Sequence, residues 1–155
     1  MKRTMKKFGA MALAAALLAG VVSCEIEGPD QEDIVRFEAT INNANTIPRA
    51  ISSAQGTANL EYKKSSKTLS YNITYQGLTP TVAHIHAAQP AWENGPVIFP
   101  LSNVTTSPIT GSVTLNQEQE DLLRLGNMYI NIHTEQYPTG EIRGQILPTP
   151  FGEDE

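Results

Sequence analysis

The chain has 155 residues, 11 Lys and Arg against 16 Asp and Glu for a formal charge of -5, and a single cysteine. One cysteine excludes an internal disulfide, so the fold must stand on its core and its hydrogen bonds. The acidic balance argues against nucleic acid as a partner, and the sequence has no Gly-x-Ser-x-Gly elbow, phosphate loop or dinucleotide fingerprint to suggest nucleophilic or nucleotide chemistry.

At the N-terminus, Lys2, Arg3, Lys6 and Lys7 precede an uncharged apolar run from Phe8 to Val22. This is the layout of a secretory signal, with an apolar run too short to span a bilayer as a helix. The run ends in Gly20-Val21-Val22-Ser23-Cys24, which resembles the lipobox of bacterial lipoproteins. The resemblance implies that residues 1–23 are a lipoprotein signal peptide and that Cys24 is the lipidated mature N-terminus. The membrane would then be held through lipid alone, since two or more acyl chains anchor essentially permanently. An ordinary signal peptide cut near Ser23 is the alternative. Loss of the leader removes four basic residues and no acid, moving the charge from -5 to -9. The expected address is the cell envelope outside the cytoplasm, at the outer membrane, facing either the periplasm or the surface. Residues 24–33 are acidic, contain Gly28 and Pro29 and lack an apolar period, so they read as a flexible tether.

From Ile34 the pattern becomes short strands between turn residues. Val35 to Ala39, Ala58 to Tyr62 and Leu69 to Tyr75 alternate apolar with polar, the signature of half-buried strands. Lys63 to Lys67 would turn a hairpin between the second and third. Val82 to His86, Pro96 to Leu101, Gly111 to Leu115, Met128 to His133 and Glu141 to Ile146 continue the series. Between them, Asn116 to Gly126 carries a capping residue, acids in the first turn, Leu122, Leu123 and Leu125, and a terminal glycine, which predicts one short helix. Residues 148–155 read as a flexible tail. The expected architecture is all-β: an antiparallel Greek-key sandwich of seven or eight strands over residues 34–147, superoxide-dismutase-like or immunoglobulin-like, with that one helix.

All three histidines fall in two of these strands. His84 and His86, two apart, share a strand face, with Ile85 on the other. Tyr129, Asn131 and His133 share a face of the later strand, opposite Met128, Ile130 and Ile132. The core claims the isoleucines, so the histidines must lie on a wetter face or beneath a loop. Glu141, Arg143 and Gln145 repeat the arrangement in the last strand, and Tyr137 to Gly140 form the tight connection that sets Glu141 beside the histidine strand.

Ala83-His84-Ile85-His86, Asn94-Gly95-Pro96-Val97, Gly126 to Thr134 with its Asn-Ile-His-Thr, and Tyr137 to Ile146 with its Gly-Glu-Ile-Arg-Gly closely resemble the CHRD domain family, named after the extracellular antagonist chordin. The resemblance runs from about Asp33 to Leu147. It implies an extracytoplasmic β-sandwich and, from chordin, a place in proteins that sequester secreted factors; it supplies no reaction. His-x-His followed by a distant histidine also looks like the copper site of copper/zinc superoxide dismutases, although the zinc loop and paired cysteines of those enzymes are missing here.

These features leave two functions open. The first is a non-enzymatic domain that binds or scaffolds an extracytoplasmic protein or polymer, with Trp92 as a lid over the polar cluster or an exposed anchor. The second is a copper- or zinc-binding module, with redox activity not excluded, in which His84, His86 and His133 are the ligands and leave a coordination position free. In that case Glu141 is expected to orient an imidazole from behind, and the ligand nitrogens must lie within about 3–4 Å of one another around an ion at roughly 2 Å. Short of a metal, the same histidines, with Asn131, Glu141 and Arg143, would form a polar network that pins the loop from Ala87 to Gly95.

Overall fold

The computed structural model describes residues 33–149. The leader, Cys24, the tether before Asp33 and residues 150–155 lie outside the described residues. Among the described residues no helix is long and apolar enough to cross a membrane.

The described residues form nine strands and one α-helix: β1 (Ile34–Asn42), β2 (Gln55–Lys63), β3 (Thr68–Gln76), β4 (Val82–Ala87), β5 (Val97–Pro100), β6 (Ile109–Thr114), α1 (Gln117–Arg124), β7 (Met128–His133), β8 (Ile142–Gln145) and β9 (Leu147–Pro148). The expected strands are all present, and the first three are longer than their alternating stretches. Polar ends such as Gln55-Gly56-Thr57 stay in register with β1 and β3, because ladder hydrogen bonds need no particular side chain.

The strands follow the order β5-β4-β7-β8-β1-β2-β3-β6, with β9 also pairing β1, and the ladders are antiparallel. β1, β2 and β3 form a meander with β6 on its free edge, while β4, β5, β7 and β8 form the other half. The chain crosses between the halves after β3, after β5 and again after β6, as in a Greek key. Alternation in the meander sends Phe37, Ile41, Leu60, Leu69 and Ile73 inward to meet Ile85, Ile130, Ile132 and Ile142 from the other half, each at most 2 % exposed. Each such side chain stabilises the fold by about 1.5–3 kcal/mol. The apolar face therefore sets the register, and the position of every polar group on these strands follows from it.

The halves meet at a narrow seam. β1 and β8 share the pair Asn42↔Arg143, and a Cβ on Gly144 would stand 2.6 Å from the Thr40 carbonyl oxygen. Only glycine lets the two backbones come so close. At the opposite end of β1, Asp33 accepts hydrogen bonds from the backbone N–H and the hydroxyl of Ser65, both at 2.7 Å. The start of the domain is thus fastened to the β2–β3 turn. At the C-terminal side, Leu147 and Pro148 pair with Glu38 and Phe37, and the Thr149 N–H donates to the Arg36 carbonyl. Residues 148 and 149, expected to belong to the tail, are thus paired with β1.

Helix α1 is held by a reciprocal cap: Asn116 Oδ1 accepts from the Gln119 N–H and Gln119 Oε1 from the Asn116 N–H, both at 2.9 Å. Leu123 is buried in the core. Gly126, at φ 69°, ends the helix in the left-handed conformation that glycine adopts without strain. Asn116→Ala removes one half of the cap and should lower the unfolding free energy by about 1 kcal/mol, read as a drop in the urea midpoint at constant m-value.

Candidate metal centre

β7 is buried on both faces over its whole length, Met128–His133. Its inner face carries Met128, Ile130 and Ile132; its outer face carries Tyr129, Asn131 and His133. The ladders place Tyr129 opposite His86 and Asn131 opposite His84 on one side, and Gln145 and Arg143 opposite the same two residues on the other. This outer face lies beneath the loops, so of the two expected positions for the histidines the covered one is found.

The three imidazoles converge. Ring centroids are 5.5 Å apart for His84 and His86, 5.0 Å for His84 and His133, and 6.1 Å for His86 and His133. One candidate ligand atom from each lies within 4.8 Å of the others. Two of the rings are committed on one side. His86 Nδ1 lies 3.0 Å from the Gly95 carbonyl oxygen and His133 Nδ1 lies 2.9 Å from that of Pro138. A carbonyl only accepts, so both Nδ1 atoms carry the proton and, in the neutral rings, both Nε2 atoms present lone pairs. His84 Nδ1 donates to His133 Nε2 at 3.2 Å. His86 Nε2 is buried with no hydrogen-bond partner among the described residues, a costly state for a polar atom.

The geometry comes near to that of a three-nitrogen ion site. An ion about 2.0–2.1 Å from each nitrogen sets the nitrogens roughly 3.4 Å apart. The His84–His133 pair already meets this, and the widest pair has to close by roughly 1–1.5 Å.

The surrounding polar groups hold the loops in place. Tyr129 stacks on His86 with centroids 5.0 Å apart and planes 8° from parallel. The Arg143 guanidinium carbon sits 3.5 Å from the Tyr129 ring centroid; because β4 and β8 flank β7, the ring is clasped between imidazole and guanidinium. Arg143, 2 % exposed, also donates to the carbonyls of Ala91 and Glu93 at 2.8 and 3.0 Å and to Asn94 Oδ1 at 3.3 Å. The Tyr129 hydroxyl accepts from the Gly95 N–H at 3.0 Å. The loop from Ala88 to Pro96 is thus bound to the strand face at several points. Asn131 Nδ2 donates to the Thr139 carbonyl at 3.1 Å, and its amide fills the space where a Cβ on Gly140 would stand.

Glu141 does not touch an imidazole. Its carboxylate accepts from the Ser52 and Thr134 hydroxyls, both at 2.6 Å, so it joins the loop before β2 to the loop after β7. The expectation that it orients a histidine is replaced by the carbonyls of Gly95 and Pro138, which do that work. Trp92 is 74 % exposed; it is no lid. Sequence reasoning missed Ser52, Thr134 and the part played by Gly95, although Asn94-Gly95-Pro96 does signal a turn in which backbone comes close to backbone. A Cβ on Gly95 would collide with the Ala87 carbonyl.

Burial holds the pKa of all three histidines below the ordinary 6.5, reinforced at His84 by the other two imidazoles and at His86 by His133 and Arg143. At neutral pH the rings are therefore mostly neutral in the unfolded chain and more completely so in the folded one. Below pH 6.5 the unfolded chain takes up protons first, so stability falls on acidification until the depressed folded-state pKa values are reached. The slope is at most about 1.4 kcal/mol per pH unit for each ring, and His84, half-exposed and screened by solvent, contributes least. Urea titrations from about pH 7.5 to about pH 5 should show this fall, and His133→Gln should make it shallower. A profile that is flat over that range would show that the rings are not desolvated.

Residues 37–146 match the CHRD domain family. No curated protein matches the chain. The match spans most of the described domain and takes in all three histidines together with Asn131, Glu141 and Arg143; the chain belongs to the CHRD domain family.

Proposed function

We propose that this protein is a lipid-anchored module of the cell envelope that holds one copper or zinc ion between His84, His86 and His133. One observation carries the proposal: one ligand nitrogen from each ring lies within 4.8 Å of the others, and the His86 Nε2 is buried with no hydrogen-bond partner among the described residues. A cation would satisfy that lone pair, and neutral imidazoles are good ligands for either metal. The carbonyls of Gly95 and Pro138 supply the backing hydrogen bonds that ligating histidines ordinarily have. Family membership brings no reaction with it, and the reading is of a binding protein rather than an enzyme. The address rests on the leader and on Cys24.

A second reading, docking of an extracytoplasmic protein or polymer, is favoured by Trp92. This ring is 74 % exposed, on a loop that Arg143 holds still, and a rigid exposed aromatic suits an anchor. The two readings concern different surfaces and are compatible.

Elemental analysis of the mature chain, made with Cys24→Ser and without a His-tag, should give close to one copper or zinc per chain after equilibration and gel filtration. His86→Ala and His133→Ala should each abolish retention. Substoichiometric metal that is unchanged in these variants sinks the metal reading. The address is checked separately: labelled palmitate should be incorporated into the wild-type chain and absent after Cys24→Ala.

A further inference from the structure

We infer that His84 is the exchangeable ligand of this site, through which an ion enters and leaves, while His86 and His133 form a fixed floor. The inference rests on the metal-binding reading above and adds to it a direction of access and a mode of use: an ion handed on rather than locked in.

The three rings are held very differently. His86 and His133 are each 8 % exposed, and each is fastened by its Nδ1–H to a loop carbonyl. His86 has in addition the parallel face of Tyr129 against it, and the Tyr129 hydroxyl bonds the same Gly95 whose carbonyl His86 uses. Strand, stack and loop close a triangle around that one ring and hold its orientation. His84 has none of this. It is half-buried, its ring meets the other two edge-on at 82° and 67°, and its one hydrogen bond among the described residues goes to His133 Nε2. No backbone carbonyl of the described residues holds it.

That hydrogen bond also closes the site. While the His84 Nδ1–H points at His133 Nε2, it occupies the lone pair that an ion would use, and its own facing nitrogen carries a proton instead of a lone pair. Loading therefore requires the His84–His133 bond to break and His84 to change tautomer. The proton leaves Nδ1, and the far nitrogen, Nε2, takes one up from solvent. The ring stays neutral, no net proton is released by it, and three lone pairs then face the ion. The other two rings are fastened through their Nδ1 atoms, so the change of tautomer and the larger movement fall to His84. A chelate of copper or zinc that brings its own nitrogen or sulfur ligands meets His84 first, and exchange proceeds through this ring.

The test uses the mature Cys24→Ser chain without a His-tag, loaded with zinc, and follows loading and release to an excess of a chelating dye by stopped flow. His84→Ala and His84→Gln should weaken zinc affinity without abolishing it and should speed both loading and release, while His86→Ala and His133→Ala retain no zinc. Near-ultraviolet circular dichroism of each variant guards against misfolding, and His84→Gln, which keeps a polar side chain at the half-exposed position, stands in should His84→Ala fail to fold. Equal loss of binding in all three positions, or rates unchanged in both His84 variants, overturns this inference while leaving the metal reading standing. A wild-type chain that retains neither zinc nor copper overturns both.

Discussion

The constraint on which the rest of this molecule depends is that β7 is buried on both faces. A strand buried on one face needs only an alternating sequence; one buried on both needs every polar group on its second face to find a partner under the cover. Met128, Ile130 and Ile132 fix the register from the inside. Tyr129, Asn131 and His133 then have no choice of direction, and the loops from Ala88 to Pro96 and from Thr134 to Gly140 have to bring their carbonyls and N–H groups to them. The loops complete the hydrogen bonding of a buried polar face.

This explains why a structural and a functional account of the histidines do not compete. Each imidazole has two nitrogens, and the fold divides the work between them. The Nδ1 atoms of His86 and His133 secure loops through Gly95 and Pro138, so the polar network that pins the loop from Ala87 to Gly95 is present. The same bonds fix the tautomers and leave both Nε2 lone pairs turned toward His84. Arg143 and Glu141 belong to the structural half of this division. Although two apart on the chain, they do not pair with each other: Arg143 gathers partners from the loop after β4, and Glu141 from the loops before β2 and after β7.

Much of this was legible in the sequence where a side-chain pattern reports a physical requirement. Period-two alternation located the strands, since burial on one face of a pleat leaves no other pattern, and the Asn116–Gln119 box with Gly126 located the helix. The common face of His84, His86, Asn131 and His133 followed from counting by twos. The rest depends on groups that leave no mark on a sequence. Which nitrogen of His86 is free is decided by the backbone carbonyl of Gly95, and every residue has a carbonyl. The partner of Glu141 on the distal side, Ser52, is 89 residues away, in a stretch with no periodicity. The short β9 is two residues long, too brief for any alternation to show, and exists because β1 offers an unfilled edge beyond its junction with β8.

The bond between Asp33 and Ser65 fixes where the chain enters the domain relative to everything else. Asp33 lies at the β2–β3 turn, whereas His84, Asn131 and Arg143 are level with Asn42 at the other end of β1. Nine residue steps from Asp33 to Asn42 separate the two levels, about 30 Å at roughly 3.3 Å per residue. A tether attached at Asp33 would therefore hold the domain by its foot, with the imidazoles and the Trp92 loop carried upward on a stalk one sandwich high. Tension on such a tether would bear first on the Asp33–Ser65 clasp and the first pairs of β1 with β2. The seam at Gly144 and the histidine face would be mechanically sheltered from that tension.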